Sequence, residues 1–151
     1  MNPPPKQEFH TSEKSSEKNR IDSVNNLVTV ATQMKSFNQG TMGKAQRDLR
    51  DAIVEWDSHK LDLTPFELNA RLDDAIVNGK DIFVSEYNQA ATNDPSIQEI
   101  DDEQISDATF LDALRKFLST GDFSIPGTRN DVTNRLAPNV VDEFSEVIEA
   151  R

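Results

Sequence analysis

Cysteine is absent from this chain of 151 residues. Its absence excludes a disulfide scaffold, a thiol nucleophile, a Cys-ligated zinc site and an iron–sulfur cluster. Glycine is scarce, with five residues, and no glycine-rich phosphate-binding string occurs. No apolar run approaches the roughly 20 residues of a membrane span, and the first residues lack the basic and apolar stretches of a signal peptide. We therefore expect a cytosolic protein without a signal peptide or a transmembrane segment.

The N-terminal segment differs in composition from the rest of the chain. Pro3-Pro4-Pro5 favours polyproline geometry, and Phe9 is the only large apolar residue between there and Asn19. Such a segment buries too little apolar surface to offset its ordering entropy. The sequence therefore predicts an extended or disordered, flexible tail over 1–19, with Phe9 as the anchor if a partner orders it, and a helical domain over 20–151.

Apolar residues recur at spacings of three and four along most of the remaining chain. This periodicity predicts helices over 20–37, 44–59, 64–78, 80–91, 107–118, 128–136 and from about 138 onward, whereas 96–106 is either a short helix or an acidic linker. Asn78-Gly79 and Pro138 are predicted to separate neighbouring helices. The fold class is therefore all-α: six or seven short amphipathic helices in a small bundle or in an extended helical chain.

The negative charge is concentrated in one segment. The formal net charge is −11, and residues 61–110 contain twelve acidic and two basic residues. This acidic segment repels nucleic-acid phosphates and favours a basic partner surface. By contrast, Lys44 with Asp48 and Arg47 with Asp51 are spaced as ion pairs, which places Arg47 and Arg50 on a solvated helix face.

The sequence offers no catalytic constellation. His10 lies in the predicted tail, and on a helix the neighbours of His59 point away from it. The carboxylate groups Asp73-Asp74 and Asp101-Asp102-Glu103 also diverge by about 100° per residue, so they make no ready metal-ligand set. We therefore expect no enzymatic activity, no catalytic residue, no cofactor and no metal.

Contact with another protein is the remaining function class. Trp56 belongs to the apolar stripe of its helix, so the default interpretation is core, with partner contact as the alternative. We expect a protein partner with a basic or apolar surface, no direct nucleic acid and no membrane contact, and a homo-oligomer stays open. The candidate partner-binding residues are Phe9, Trp56, Asp73, Asp74, Glu99, Asp101, Asp102 and Glu103.

A different class of function also fits the charge. An acidic inhibitor that imitates nucleic acid would block a DNA-binding protein and would show steep salt dependence. Its phosphate substitutes would be the carboxylates of Asp62, Glu67, Asp73, Asp74, Asp81, Glu86, Asp94, Glu99, Asp101, Asp102 and Glu103.

Short scattered strings resemble the internal scaffolding proteins of gokushovirus-type microviruses, which are small and largely helical. The strings are Ile21-Asp22-Ser23-Val24-Asn25-Asn26-Leu27, Gly79-Lys80-Asp81-Ile82-Phe83, and Asn93-Asp94-Pro95 with Phe110-Leu111-Asp112. The resemblance implies transient binding to a coat protein, without a cofactor, in the virion or the host cytoplasm. The leading hypothesis is a viral or phage assembly, scaffolding or capsid-associated structural protein.

Overall fold

The computed structural model describes residues 5–35 and 42–149, with side chains from residue 17 onward. These residues form helices and contain no strand, which confirms the all-α prediction. The predicted count of six or seven helices is wrong, because two pairs of predicted helices are each continuous. The five helices are α1 (Pro5–Met34), α2 (Lys44–Ser58), α3 (Pro65–Asn93), α4 (Asp107–Thr120) and α5 (Asn130–Glu149).

Helix α1 begins earlier than the sequence pattern indicates. It runs from Pro5, so the segment that was predicted to be an extended or disordered tail over 1–19 is helical from that residue. Proline is favoured at the first helical position, and the following residues up to Met34 include neither glycine nor a second proline. Residues 1–4 and the side chain of Phe9 lie outside the described part of the chain.

Helix α3 continues through Gly79, where the sequence predicted a helix end. An ideal Cβ on Gly79 would lie 2.7 Å from Cζ of Phe110, a ring that is fully buried. The glycine therefore allows close packing of α4 on α3 and does not supply a left-handed cap. Such a cap is seen instead at Gly121, with φ of 78°, directly after the end of α4.

The methyl group added by Gly79→Ala overpacks the Phe110 contact, at a cost of about 1–3 kcal/mol, and the gain in helix propensity offsets about 1 kcal/mol of it. We therefore expect the free energy of unfolding to fall by up to about 2 kcal/mol. Urea denaturation measures the difference. Gln89→Ala, at an exposed position of the same helix, is the control and should change stability by no more than about 0.5 kcal/mol. A Gly79→Ala variant more stable than the parent would contradict this packing.

A second predicted helix boundary, at Pro138, is also absent, whereas residues 96–106 agree with the linker alternative. Helix α5 is continuous from Asn130 and contains Pro138 in its interior. Proline removes one backbone donor and usually breaks a helix, but this helix buries an apolar face on both sides of Pro138, including Val132, Val140 and Phe144. Residues 96–106 contain no α-helix; a 3₁₀ turn at Asp102–Gln104 is their only regular element.

The helices pack around one core, which settles the alternatives of bundle and extended chain for the described residues. Helix α3 packs against α5, α1 against α4, and α2 against α5 and α1. Aromatic rings fill the centre, and Phe123 contacts three of them edge-on, with ring centroids 5.9 Å from Phe83, 6.4 Å from Phe110 and 6.3 Å from Phe117. All four rings are buried.

Arg50 does not lie on a solvated face, and that prediction is wrong. Its residue surface is only 4% exposed. The guanidinium lies 3.0 Å from the carboxylate of Asp51 and donates to the carbonyl oxygen of Met34 at 3.4 Å. Arg50 therefore ties α2 to the C-terminal end of α1. The ion pair predicted between Lys44 and Asp48 is present at 2.7 Å.

Candidate functional site

Helix α3 has a second apolar stripe, whose exposed members face away from the core, whereas its last member, Val84, also packs against the core. At 100° per residue, Phe66, Val77 and Val84 lie within about 20° of one another around the helix. Phe66 is 81% exposed, Val77 is 56% exposed and Val84 is half-buried. The exposed Ala70 lies between the first two. We name these four residues the outer stripe; it is about 27 Å long at 1.5 Å per residue.

Acidic residues flank the outer stripe. Asp74 and Asp81 are exposed; each lies about one helix turn before one member of the stripe, Val77 and Val84 respectively. Asp73 lies within about 20° of Phe66 around the helix, on the stripe itself, and forms an ion pair with Arg20 of α1. Lys80, one of the two basic residues of 61–110, is paired with Asp107 at 3.3 Å. The free carboxylates of Asp74 and Asp81 therefore give the stripe a negative border.

The exposed acidic residues of the segment 99–103 are held close to the end of this stripe. The side-chain amide of Asn88 donates to the carbonyl oxygen of Ile100 at 2.9 Å, and the Ile100 N–H donates to Asn88 Oδ1 at 2.8 Å. Asn88 thus pairs with both backbone groups of Ile100 and holds the segment against α3. A shallow cavity of about 640 Å³ lies between α3 and the segment, and its lining includes Asp81, Val84 and Asp102.

A second contact fixes the turn that leads from α3 into this segment. Asp94 Oδ1 accepts hydrogen bonds from the backbone N–H and the hydroxyl of Ser96, at 3.0 and 2.7 Å. Arg129 donates to the Ser96 hydroxyl at 3.0 Å, and its backbone N–H donates to the Tyr87 hydroxyl at 2.9 Å. The hydrogen bonds from Ser96, followed by the charge of Arg129, lower the pKa of the Asp94 carboxyl. Asp94 is thus a structural carboxylate of the turn.

The predicted partner-binding residues separate into two groups in the structure. Trp56 is only 7% exposed, and its indole N–H donates to the carbonyl oxygen of Leu68 at 3.1 Å, so it belongs to the core, as the default interpretation predicted. It is therefore withdrawn as a partner-binding residue. The structure places the predicted acidic candidates on the exposed surface of α3 and of the segment docked on it: Asp73, Asp74, Glu99, Asp101, Asp102 and Glu103.

Some acidic residues of 61–110 also have structural contacts. Asp101 accepts a hydrogen bond from the Glu103 N–H at 3.2 Å and so caps the 3₁₀ turn. Glu67 accepts from the Thr64 hydroxyl at 3.1 Å, and Glu86 accepts from the amide of Asn139 at 3.2 Å. Asp74, Asp81 and Asp102 are exposed carboxylates close to the outer stripe.

The imidazole of His59 lies between two carboxylates. Its Nε2 lies 3.7 Å from Glu55, and its Nδ1 lies 3.7 Å from Asp62. The neighbouring Ser58 hydroxyl donates to the carbonyl oxygen of Glu55 at 2.7 Å, so it points back along its own helix. The imidazole therefore faces two carboxylates, whereas the Ser58 hydroxyl is bonded to the backbone of its own helix.

Sequence reasoning missed Phe66 and Val77 as site residues. The pattern that could have identified them is a difference in phase, because neither fits the buried core stripe of Leu68, Leu72, Ala75 and Ile76. Phe66 follows Pro65 in the first turn of α3. Apolar residues that are out of phase with the core stripe indicate a second surface.

Within 5–35 and 42–149, no group of three His, Asp or Glu residues is placed to hold a metal ion. No helix of the described chain is long and apolar enough to cross a membrane. No protein family, no curated protein and no solved structure matches this chain.

Proposed function

We propose that this chain is a non-enzymatic interaction protein that binds a protein partner through the outer stripe of α3 and the carboxylates around it. The single observation that carries the proposal is the coincidence of exposed apolar side chains with the acidic segment. Phe66 and Val77 are two of the four exposed large apolar residues in the described chain, and both lie among the exposed carboxylates of 61–110. An apolar centre with a charged border is the usual anatomy of a protein–protein interface.

A viral or phage assembly role, such as scaffolding or capsid association, is the instance that we favour. Assembly proteins act by contact alone, which agrees with a helical bundle that presents such a surface. The apolar residues also favour this role over an inhibitor that imitates nucleic acid, because a phosphate substitute requires carboxylates and not an exposed phenyl ring. The partner is then a coat protein or another structural protein with a basic surface.

Two triple variants with equal charge change test the proposal. The first, Asp74→Lys, Asp81→Lys and Asp102→Lys, reverses charges beside the outer stripe. The second, Asp22→Lys, Asp112→Lys and Glu146→Lys, reverses three exposed charges elsewhere. Affinity capture from the producing host, followed by mass spectrometry, identifies proteins that bind the parent chain. Circular dichroism confirms that both variants keep the helical fold.

The expected result is a partner with a basic surface that the second triple variant retains and the first triple variant loses. Charge reversal at an interface replaces attraction by repulsion and slows association. A partner retained equally by both variants would contradict the proposal. Recovery of a DNA-binding protein that DNA displaces would support the inhibitor instead.

A further inference from the structure

The outer stripe has the dimensions of a helix-binding surface. It extends about 27 Å, which is the length of a helix of about 18 residues. Its apolar members recur along one face at i, i+4, i+11 and i+18, and this spacing matches the repeat of a packed helical partner. A single side chain or a small ligand would cover only a fraction of this length.

The charge around the stripe restricts its occupant. Phosphates of nucleic acid and anionic lipid headgroups are repelled by the net charge of residues 61–110, which contain twelve acidic and two basic residues. A second copy of the chain, packed through the same face, would bring like charges together, and this is destabilising. Charge complementarity therefore favours a segment with Lys or Arg at its edges.

From these observations we infer that the outer stripe binds an amphipathic basic helix, whose apolar residues cover Phe66 and Val77 and whose cations face Asp74, Asp81 and the acidic segment 99–103. This inference rests on the proposed function, because it names the partner element that the same surface takes. The half-buried Val84 and Ile100 form the apolar floor at the end where the cavity lies. The exposed carboxylates of Glu99 and Asp102 lie beside that floor.

A pair of synthetic peptides tests the inference on the full chain. Both contain about 20 residues of Leu and Lys, long enough to span ~30 Å as a helix. One places Leu on a single helical face; its isomer has the same composition with Leu distributed around the helix. Fluorescence anisotropy with labelled peptides gives each Kd. We expect the amphipathic peptide to bind about tenfold or more tightly than its isomer.

Single substitutions locate the binding. Phe66→Ser and Val77→Ser are each expected to raise the Kd of the amphipathic peptide about tenfold, because buried apolar anchors dominate interface energies. The matched control is Leu61→Ser, which removes an apolar residue that is 96% exposed but lies in the 3₁₀ turn before α3; its Kd should stay within about twofold. All three positions are exposed, so the variants should keep the fold.

Equal binding of the two peptides, or unchanged binding by Phe66→Ser and Val77→Ser, would overturn the inference. Such a result leaves the proposed function standing if the captured partner is still lost from the first triple variant, because the partner would then present a basic surface other than a helix. If the peptides bind as expected but both triple variants retain the captured partner equally, the proposed function fails and the helix-binding surface remains.

Discussion

Phe123→Ala is expected to lower the free energy of unfolding by about 3–5 kcal/mol, the range for truncating a buried aromatic residue. Phe123 is fully buried and contacts Phe83, Phe110 and Phe117, so its removal leaves a cavity that α3 and α4 both line. Its backbone is also held, because its N–H donates to Asn134 Oδ1 at 2.8 Å and its carbonyl oxygen accepts from Thr133 at 2.9 Å. These fixed bonds limit how far the loop can collapse into the cavity. Urea denaturation gives the difference in stability.

The matched control is the same substitution at an exposed phenylalanine. Phe66→Ala removes a side chain that is 81% exposed, and we expect a change of no more than about 0.5 kcal/mol. Since total stability is about 5–15 kcal/mol for a domain, Phe123→Leu provides a milder variant if the alanine variant does not fold. Equal effects of alanine at positions 66 and 123 would contradict the assignment of core and surface.

Asn88→Ala should release the acidic segment from α3 and lower the free energy of unfolding by about 2 kcal/mol. The substitution removes both hydrogen bonds to the backbone of Ile100 and leaves the half-buried N–H and carbonyl groups without their partner. Hydrogen exchange provides a local readout, because the Ile100 amide loses its acceptor. We expect its exchange to become faster by more than that of amides in the middle of α5.

Asn88→Asp separates the two bonds. The carboxylate still accepts from the Ile100 N–H but no longer donates to the Ile100 carbonyl oxygen, so the loss should be intermediate. Asn78→Ala, which removes the side-chain bond from an exposed asparagine to the carbonyl oxygen of Asp74, is the control for a helix-surface asparagine. If Asn88→Ala behaves like Asn78→Ala in both stability and exchange, residues 99–103 are not positioned by Asn88.

Periodicity predicted the helical class because each helix buries a regular stripe, but two helix ends that were predicted from Gly79 and Pro138 do not occur. At Gly79 the same residue type serves either a left-handed cap or a close helix approach, and only the position of Phe110 decides between them. At Pro138 the helix continues because the burial of apolar residues on both sides of the proline outweighs its local cost. Local sequence rules thus failed where packing against other parts of the chain decides whether the helix continues.

The candidate surface was predicted in part for a comparable reason. Charge is visible in the sequence, so the carboxylates near 73–74 and 99–103 could be named before the fold was known. The docking of 99–103 beside α3 depends on the contact between Asn88 and Ile100, twelve residues apart, which no motif marks. Phe66 could be assigned to the surface only from the structure, in which the core stripe of α3 faces inward and Phe66 is exposed.

The ratio of two dissociation constants tests the central claim most directly. The captured partner, once purified, is titrated against the two triple variants at one salt concentration. We expect the variant with Asp74→Lys, Asp81→Lys and Asp102→Lys to bind about tenfold or more weakly than the variant with Asp22→Lys, Asp112→Lys and Glu146→Lys. Equal dissociation constants would show that net charge alone matters and would contradict a contact surface on α3.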